Sequence, residues 1–262
     1  MEKKETATSA SETRLIDLYL NLLEQTLTGV ILQDPGHVPR FEMKQAPDYD
    51  ETRRLNGRDF PVHAPTMIGQ KRLRHLRGLV ESVLANRVPG DFIETGVWRG
   101  GACIFMRAIL AAYGVTDRRV WLADSFAGLP PPNPKEFAAD EGGRLHTNDF
   151  LAVSLDEVKS NFMKYNMLDD QVRFLKGWFK DTLPAAPIEA LAILRLDGDM
   201  YESTVQALDA LYDKLSVNGF VVVDDYFYPP CKKAVHDFLA KKNIDARLID
   251  IDGVGSYWQK LV

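Results

Sequence analysis

The sequence predicts an α/β fold, a mostly parallel sheet that ends in an antiparallel hairpin, and three observations predict it. From Gly90 onward, short apolar runs alternate with helical stretches, the pattern of parallel strands joined by crossover helices. The first run passes into a glycine-rich turn, Glu94-Thr95-Gly96-Val97-Trp98-Arg99-Gly100-Gly101, where open α/β sheets approach their ligands. The last two β-like runs, Ala246 to Ile251 and Ser256 to Leu261, are separated only by Asp252-Gly253-Val254-Gly255, a link short enough only for an antiparallel pair.

Taken in order, the first dozen residues are rich in Lys, Glu, Thr and Ser with nothing to bury, so residues 1–14 are expected to be disordered. From Leu15 to Leu32 the apolar positions follow helical spacing. Residues 33 to 65 carry Pro35, Pro39, Pro47, Pro61 and Pro65 amid charges and read as mostly irregular, the composition of a functional lid or a disordered loop. Gln70 to Ala85 is helical again and stops before the Pro89-Gly90 turn. Residues 15–89 therefore form a helical extension and lid, and 90–262 the main domain. Strands are placed at Phe92–Glu94, Val120–Ala123, Val172–Leu175, Ala192–Leu196 and Phe220–Val223, which with the hairpin makes seven, and helices fill the gaps.

With 45% hydrophobic and 26% charged residues in 262, the chain belongs with ordinary globular proteins. A net charge of -5 argues against nucleic acid; the one basic run, Lys71 to Arg77, sets its charges beside Leu73 and Leu76 at helical spacing and reads as a solvated helix face. No apolar run reaches membrane-spanning length, and Cys103 and Cys231 stand alone, as free thiols of a reducing, cytoplasmic compartment do.

The chemistry is concentrated at the strand ends. Asp124, closing Trp121-Leu122-Ala123, is placed to accept hydrogen bonds from two ribose hydroxyls, so a nucleoside cofactor is expected beside the glycine turn. A dinucleotide fingerprint needs G-x-G-x-x-G, and here Trp98 fills the place of the second glycine. An indole would crowd a pyrophosphate, but a methionine tail carries none, and Glu94 can meet its ammonium. S-adenosylmethionine is thus favoured over NAD. Lys176-Gly177-Trp178-Phe179 offers backbone and an indole to the adenine, unless Trp178 merely packs in the core.

Asp197-Gly198-Asp199 and Asp224-Asp225 end two neighbouring strands, so four carboxylates converge. Such a cluster repels itself, and a hard cation such as Mg²⁺ relieves it; helix capping accounts for one or two of the four. Asp197, Asp224 and Asp225 are read as metal ligands and Asp199 as general base for an O-methyl transfer. His146, in the loop Gly142–Thr147, is the competing base or a solvated loop residue. A nicotinamide-dependent oxidoreductase and a cofactor-binding protein without catalysis are the rival readings, and a catechol is the rival acceptor.

At Glu94–Gly101, Ala123-Asp124-Ser125-Phe126, Gly177–Thr182, Asp197-Gly198-Asp199 and His63–Gly69, the sequence resembles the macrocin O-methyltransferase family, and the likeness runs over about residues 15 to 262. The resemblance implies a Rossmann-like class I S-adenosylmethionine methyltransferase fold. It further implies Mg²⁺, a sugar hydroxyl on a glycosylated natural product such as a macrolide or aminocoumarin antibiotic as acceptor, and self-association into a homo-oligomer. Position by position, it makes Asp197, Asp224 and Asp225 the metal ligands and Asp199 or His146 the base. The cofactor contacts it implies are Thr66, Met67, Glu94, Thr95, Gly96, Val97, Trp98, Asp124, Ser125, Phe126, Ala127, Gly128, Gly177, Trp178 and Asp197, with Ser154 a weaker match. The insert Pro130 to Glu141 departs from the family pattern and, with residues 33–62, is expected to shape the acceptor site.

Overall fold

A computed structural model describes residues 10–37 and 48–261. Five strands lie parallel: β3 (Asp91–Thr95), β4 (Val120–Asp124), β5 (Val172–Lys176), β6 (Leu191–Leu196) and β7 (Leu215–Val223). Two short ones, β8 (Ile249–Asp250) and β9 (Ser256–Gln259), pair antiparallel with each other, and β9 with β7. The strand order is β5-β4-β3-β6-β7-β9-β8, as the seven-stranded reading expects, although β8 is shorter than the run from Ala246 suggested. Strand order reverses at β3, whose neighbours are β4 on one side and β6 on the other. Crossover connections leave in opposite directions there, so a crevice opens at the carboxyl ends of β3 and β6.

Alternation along each strand divides the core between the two faces of the sheet. Val120 and Leu122 of β4 and Phe220 and Val222 of β7 face one layer, which contains α1 (Ala10–Leu27), α3 (Gly69–Ala85) and α4 (Gly101–Ala112). Trp121, Ala123, Val221 and Val223 face the other, against α7 (Tyr201–Leu211) and α8 (Pro229–Lys242). Burial is complete along β6, the central strand. Each fully buried Leu, Ile or Phe contributes about 1.5–3 kcal/mol, so covering both faces is what holds the edge in place.

The first helix differs from its expected bounds. It begins at Ala10, so residues 10–14 are helical rather than disordered; the expected disorder of 1–9 lies outside the described residues. Ala, Glu and Arg are good helix formers, and their polarity suits an exposed first turn. The helix stops at Leu27 because Gly29 takes a left-handed conformation and the Val30 N–H closes onto the Gln25 carbonyl, leaving Val30 and Ile31 in the turn.

The proline-rich segment 33–65, of which 38–47 lie outside the described residues, is better tied down than its prolines suggest. A two-stranded ribbon, β1 (Gly36–His37) with β2 (Phe60–Pro61), and one short helix, α2 (Glu51–Leu55), are organised around Arg54, which is 1% exposed. Its guanidinium pairs with Asp59 and donates to the carbonyls of Thr28 and Asp34. On the sheet side, the His37 ring stacks on Phe150 at 4.2 Å, and the Trp98 indole donates to the Phe150 carbonyl. This segment therefore rests on the glycine turn.

Candidate active site

A cavity of about 690 Å³ opens over the crevice. Every strand end delivers residues to it because parallel neighbours end at one edge: Glu94 and Gly96 at the end of β3, Asp124 of β4, Gly177 and Trp178 after β5, Asp197 and Asp199 after β6, Asp224 and Asp225 after β7. Thr66, Met67, Val97, Trp98, Ser125 and Gly128 also border it. Most of the expected site residues are thus brought together. Trp178 is 38% exposed, which argues for a ring facing the cavity and against simple core packing.

Five expected residues lie elsewhere. Thr95 points away from the cavity, its hydroxyl toward the Arg195 carbonyl at 3.4 Å. Phe126 is buried in the core, and Ala127 is tied through its N–H to the Ser125 hydroxyl. Ser154 caps α5 (Leu155–Lys164) by accepting from the Glu157 N–H, a full structural role. His146 is exposed, in a 3₁₀ turn beside a separate small indentation with Pro130 and Tyr228.

Backbone geometry makes the glycine turn possible. Gly96 has φ +87°, and a Cβ there would stand 1.8 Å from the Asp197 carbonyl oxygen. That contact is where the ends of β3 and β6 meet, with the Asp197 N–H on the Thr95 carbonyl at 2.9 Å. Gly96→Ala is therefore expected to cost about 2–5 kcal/mol, from the left-handed φ and the overpacking together, and to remove cofactor binding; melting curves and titration with S-adenosylhomocysteine read both. Likewise, a Cβ on Gly101 would press on the Pro65 carbonyl, which accepts from the Gly101 N–H and so sets Thr66 at the cavity wall.

Asp124 organises the turn as well as facing the cavity. Its two oxygens accept from the N–H groups of Val97 and Phe126, both at 2.7 Å, and outward lone pairs are left for a ligand. Burial nevertheless raises its pKa.

The floor is an ionic network that composition-level reading missed. Arg195, on β6 and 1% exposed, pairs with Glu94, with Asp197 at 2.6 Å, and with Asp224. Glu94 also accepts from the buried Cys103 thiol at 2.8 Å. Burial pushes Glu94 up to about 7 even against the opposing pull of Arg195. The second cation is Arg72 of α3, which pairs with Asp224, donates to the Gly57 carbonyl and lies 3.2 Å from Asp252. Arg72 is buried, so the solvated-face reading of Lys71–Arg77 fails for it while holding for Arg74, which is 56% exposed. In a helix whose inward stripe includes Leu73 and Leu76, position 72 faces inward as well.

Asp197, Asp224 and Asp225 each place an oxygen within 4.8 Å of the others'. Asp224 is held by both guanidinium groups; Asp225 accepts, among the described residues, from the Asp199 N–H at 3.0 Å. Burial, then the charges of Asp199, Asp197 and Asp224, holds Asp225 well above the usual carboxylate range. Asp199 sits in the left-handed region at φ +57°, and burial followed by Asp197 and Asp224 raises it to about 7. A hard divalent cation on an oxygen donor set suits this imbalance, with more buried carboxylates than guanidinium groups. These residues fit a metal of that kind.

The chain matches the family model for macrocin-O-methyltransferase (TylF) over residues 16–260. It is 54% identical to the demethyldecarbamoylnovobiocin O-methyltransferase of Streptomyces niveus, over 93% of each chain. To the mycinamicin III 3''-O-methyltransferase of Micromonospora griseorubida it is 48% identical, over 94% of this chain and 97% of that one. The solved structure of the O-methyltransferase NovP, 53% identical, superposes with a TM-score of 0.89 over 94% of this chain and all of that one. With a methyltransferase crevice at its strand switch and this match across nearly its whole length, the chain belongs to the macrocin-O-methyltransferase family and is an S-adenosylmethionine-dependent O-methyltransferase.

Proposed function

We propose that the chain methylates a sugar hydroxyl on a glycosylated natural product, with Mg²⁺ held by Asp197, Asp224 and Asp225 and Asp199 as the base. The convergence of those three carboxylates beside the glycine turn, Asp224 and Asp225 buried and Asp197 half-buried, carries the reading. The relatives named for novobiocin and mycinamicin substrates support the acceptor class. Catechol acceptors are the second arm of the test. No helix among the described residues is long and apolar enough to cross a membrane, and Cys103 and Cys231 are free and buried, in keeping with a cytoplasmic enzyme. Self-association is supported by the apolar face that α1 leaves exposed at Leu15, Leu18 and Leu22, and light scattering reads it.

In this reading Thr66, Met67 and the Gly96–Trp98 backbone line the methionine tail, Glu94 meets its ammonium, Asp124 takes the ribose hydroxyls and Trp178 faces the adenine. Mg²⁺, when bound, polarises the acceptor hydroxyl and fixes its direction. Asp199, whose pKa is raised to about 7, would take the hydroxyl proton as the oxygen attacks the sulfonium methyl carbon in line, the C–O bond forming as the S–C bond breaks and neutral S-adenosylhomocysteine leaves. Asp199 lines the same cavity as the ligand carboxylates, whereas His146 does not, which favours Asp199.

The test incubates the protein with labelled S-adenosylmethionine and demethyldecarbamoylnovobiocin, mycinamicin III or a catechol, with Mg²⁺ or with EDTA. Label on a glycoside that vanishes with EDTA supports the reading; transfer indifferent to EDTA overturns its metal half. The same site predicts a stability signature. Asp199 and Glu94 have folded pKa values near 7, above those of the unfolded chain, so the metal-free fold binds more protons and loses stability as pH rises from about 4 to about 7. Mg²⁺ binds the ionised carboxylates, so the Tm difference between Mg²⁺ and EDTA should widen from pH 5.5 to 7.5. A constant difference would place the cation elsewhere.

A further inference from the structure

Part of the cavity wall comes from the loop after β4: Leu129 and, from the insert, Pro130, Pro131, Asn133 and Glu136 border the cavity, and so does Leu145 farther along the same loop. A wall of this kind discriminates between acceptors only if it is fixed relative to the catalytic carboxylates. One buried side chain does that. Asp140, 3% exposed, accepts from the backbone N–H of Tyr201 at 2.8 Å and of Glu202 at 2.9 Å, the first two residues of α7. Those N–H groups have no partner within the helix, and Met200, in the cap position, supplies no side-chain acceptor. Asp140 thus caps α7 from 61 residues away in sequence, and its charge suits the positive end of the helix. Helix α7 begins immediately after Asp197-Gly198-Asp199-Met200, so the same backbone turn carries two catalytic carboxylates and receives the loop. The Phe137 ring lies 6.2 Å from that of Tyr201, and the Gly143 N–H closes on the Asp140 carbonyl, so both flanks of the loop are gathered at this point.

We propose that Asp140 is a positioning residue for acceptor recognition: it fixes the Leu129–Asn148 wall to the Asp199 turn and so sets where the acceptor hydroxyl comes to rest. This deepens the acceptor reading above and rests on it for the substrate class alone. Asp140→Asn keeps the shape but replaces one acceptor oxygen by a donor that opposes a helix N–H.

Two measurements on the full chain test it. In hydrogen exchange without ligand, residues 129–148 of Asp140→Asn should exchange at least tenfold faster, with residues 91–98 unchanged. In steady-state assays with whichever glycoside the wild type methylates, the acceptor KM should rise at least tenfold while the S-adenosylmethionine KM stays within threefold. A general structural defect would move both KM values together, and that outcome, or an acceptor KM within twofold, overturns the proposal. Unchanged exchange in the loop overturns it as well, with or without a working acceptor. If the wild type methylates neither glycoside but the loop loosens as stated, the substrate class fails and the anchoring stands. Should Asp140→Asn not fold, Phe137→Leu removes the adjoining ring contact and should shift the same two readouts in the same direction, by about threefold; no shift there counts against the proposal.

Discussion

Asp199→Asn is expected to lower methyl transfer by about 10²–10⁴-fold, the usual worth of a positioned general base, while S-adenosylhomocysteine binds as to the wild type. Asparagine matches the shape of aspartate, and the backbone bond from residue 199 to Asp225 does not involve the side chain. What it loses is the ability to accept a proton. An ordinary aspartate would be a weak base at neutral pH. Burial and the neighbouring charges of Asp197 and Asp224 lift this one to about 7, and a bound cation would draw it back down. The acidic limb of kcat/KM should therefore lie no higher than about 7 and disappear in Asp199→Asn. His146→Ala supplies the contrast: its exposed position outside the main cavity predicts near-normal activity. If His146→Ala carries the loss and Asp199→Asn does not, the loop must fold over the carboxylates during turnover and the base is misassigned.

The sheet and most of this site were legible because each is written locally. Apolar runs such as Leu191–Leu196 mark buried parallel strands, and polar residues following them mark the edge where ligands bind. Asp197, Asp224 and Asp225 follow from that rule alone once β6 and β7 are neighbours. The partners of these residues were not legible. Arg72 has the spacing of an inward position, yet its charge suggests solvent, and only the fold shows Asp224 and Asp252 waiting for it. Asp140 looks like one more polar residue of a loop, since the helix it caps starts 61 residues later. Arg195 did leave a signal, a lone charge inside an otherwise apolar strand, which in a buried strand demands a partner of opposite sign. One helix end misled: Gly29 stopped α1 before the leucine pattern ended.

Arg195→Met is expected to be the most destabilising change in the site. Methionine fills much of the volume, so packing is nearly conserved, and the effect isolates the charge. One guanidinium there serves Glu94 on β3, Asp197 beyond β6 and Asp224 beyond β7; removing one partner from buried ion pairs costs about 3–5 kcal/mol. Against a total stability of about 5–15 kcal/mol, that is about a fifth or more of what holds the domain together. The protein has one escape: the orphaned carboxylates can take up protons. Glu94 already stands near 7 with Arg195 present, because burial outweighs the ion pair, so without it Glu94 is neutral at physiological pH. Protonation becomes harder as pH rises, and the deficit in Tm relative to wild type should be smaller at pH 5.5 than at pH 8. Glu94→Gln in the Arg195→Met background removes one of the stranded acids and should return part of the loss, a coupling that a double-mutant cycle measures. Arg195→Lys restores the charge, but a single ammonium cannot span carboxylates on three strand ends, so it should recover less than half. A Tm within 2 °C of wild type for Arg195→Met at both pH values would mean that these carboxylates are held neutral by other means and that the three strand ends do not depend on a shared cation.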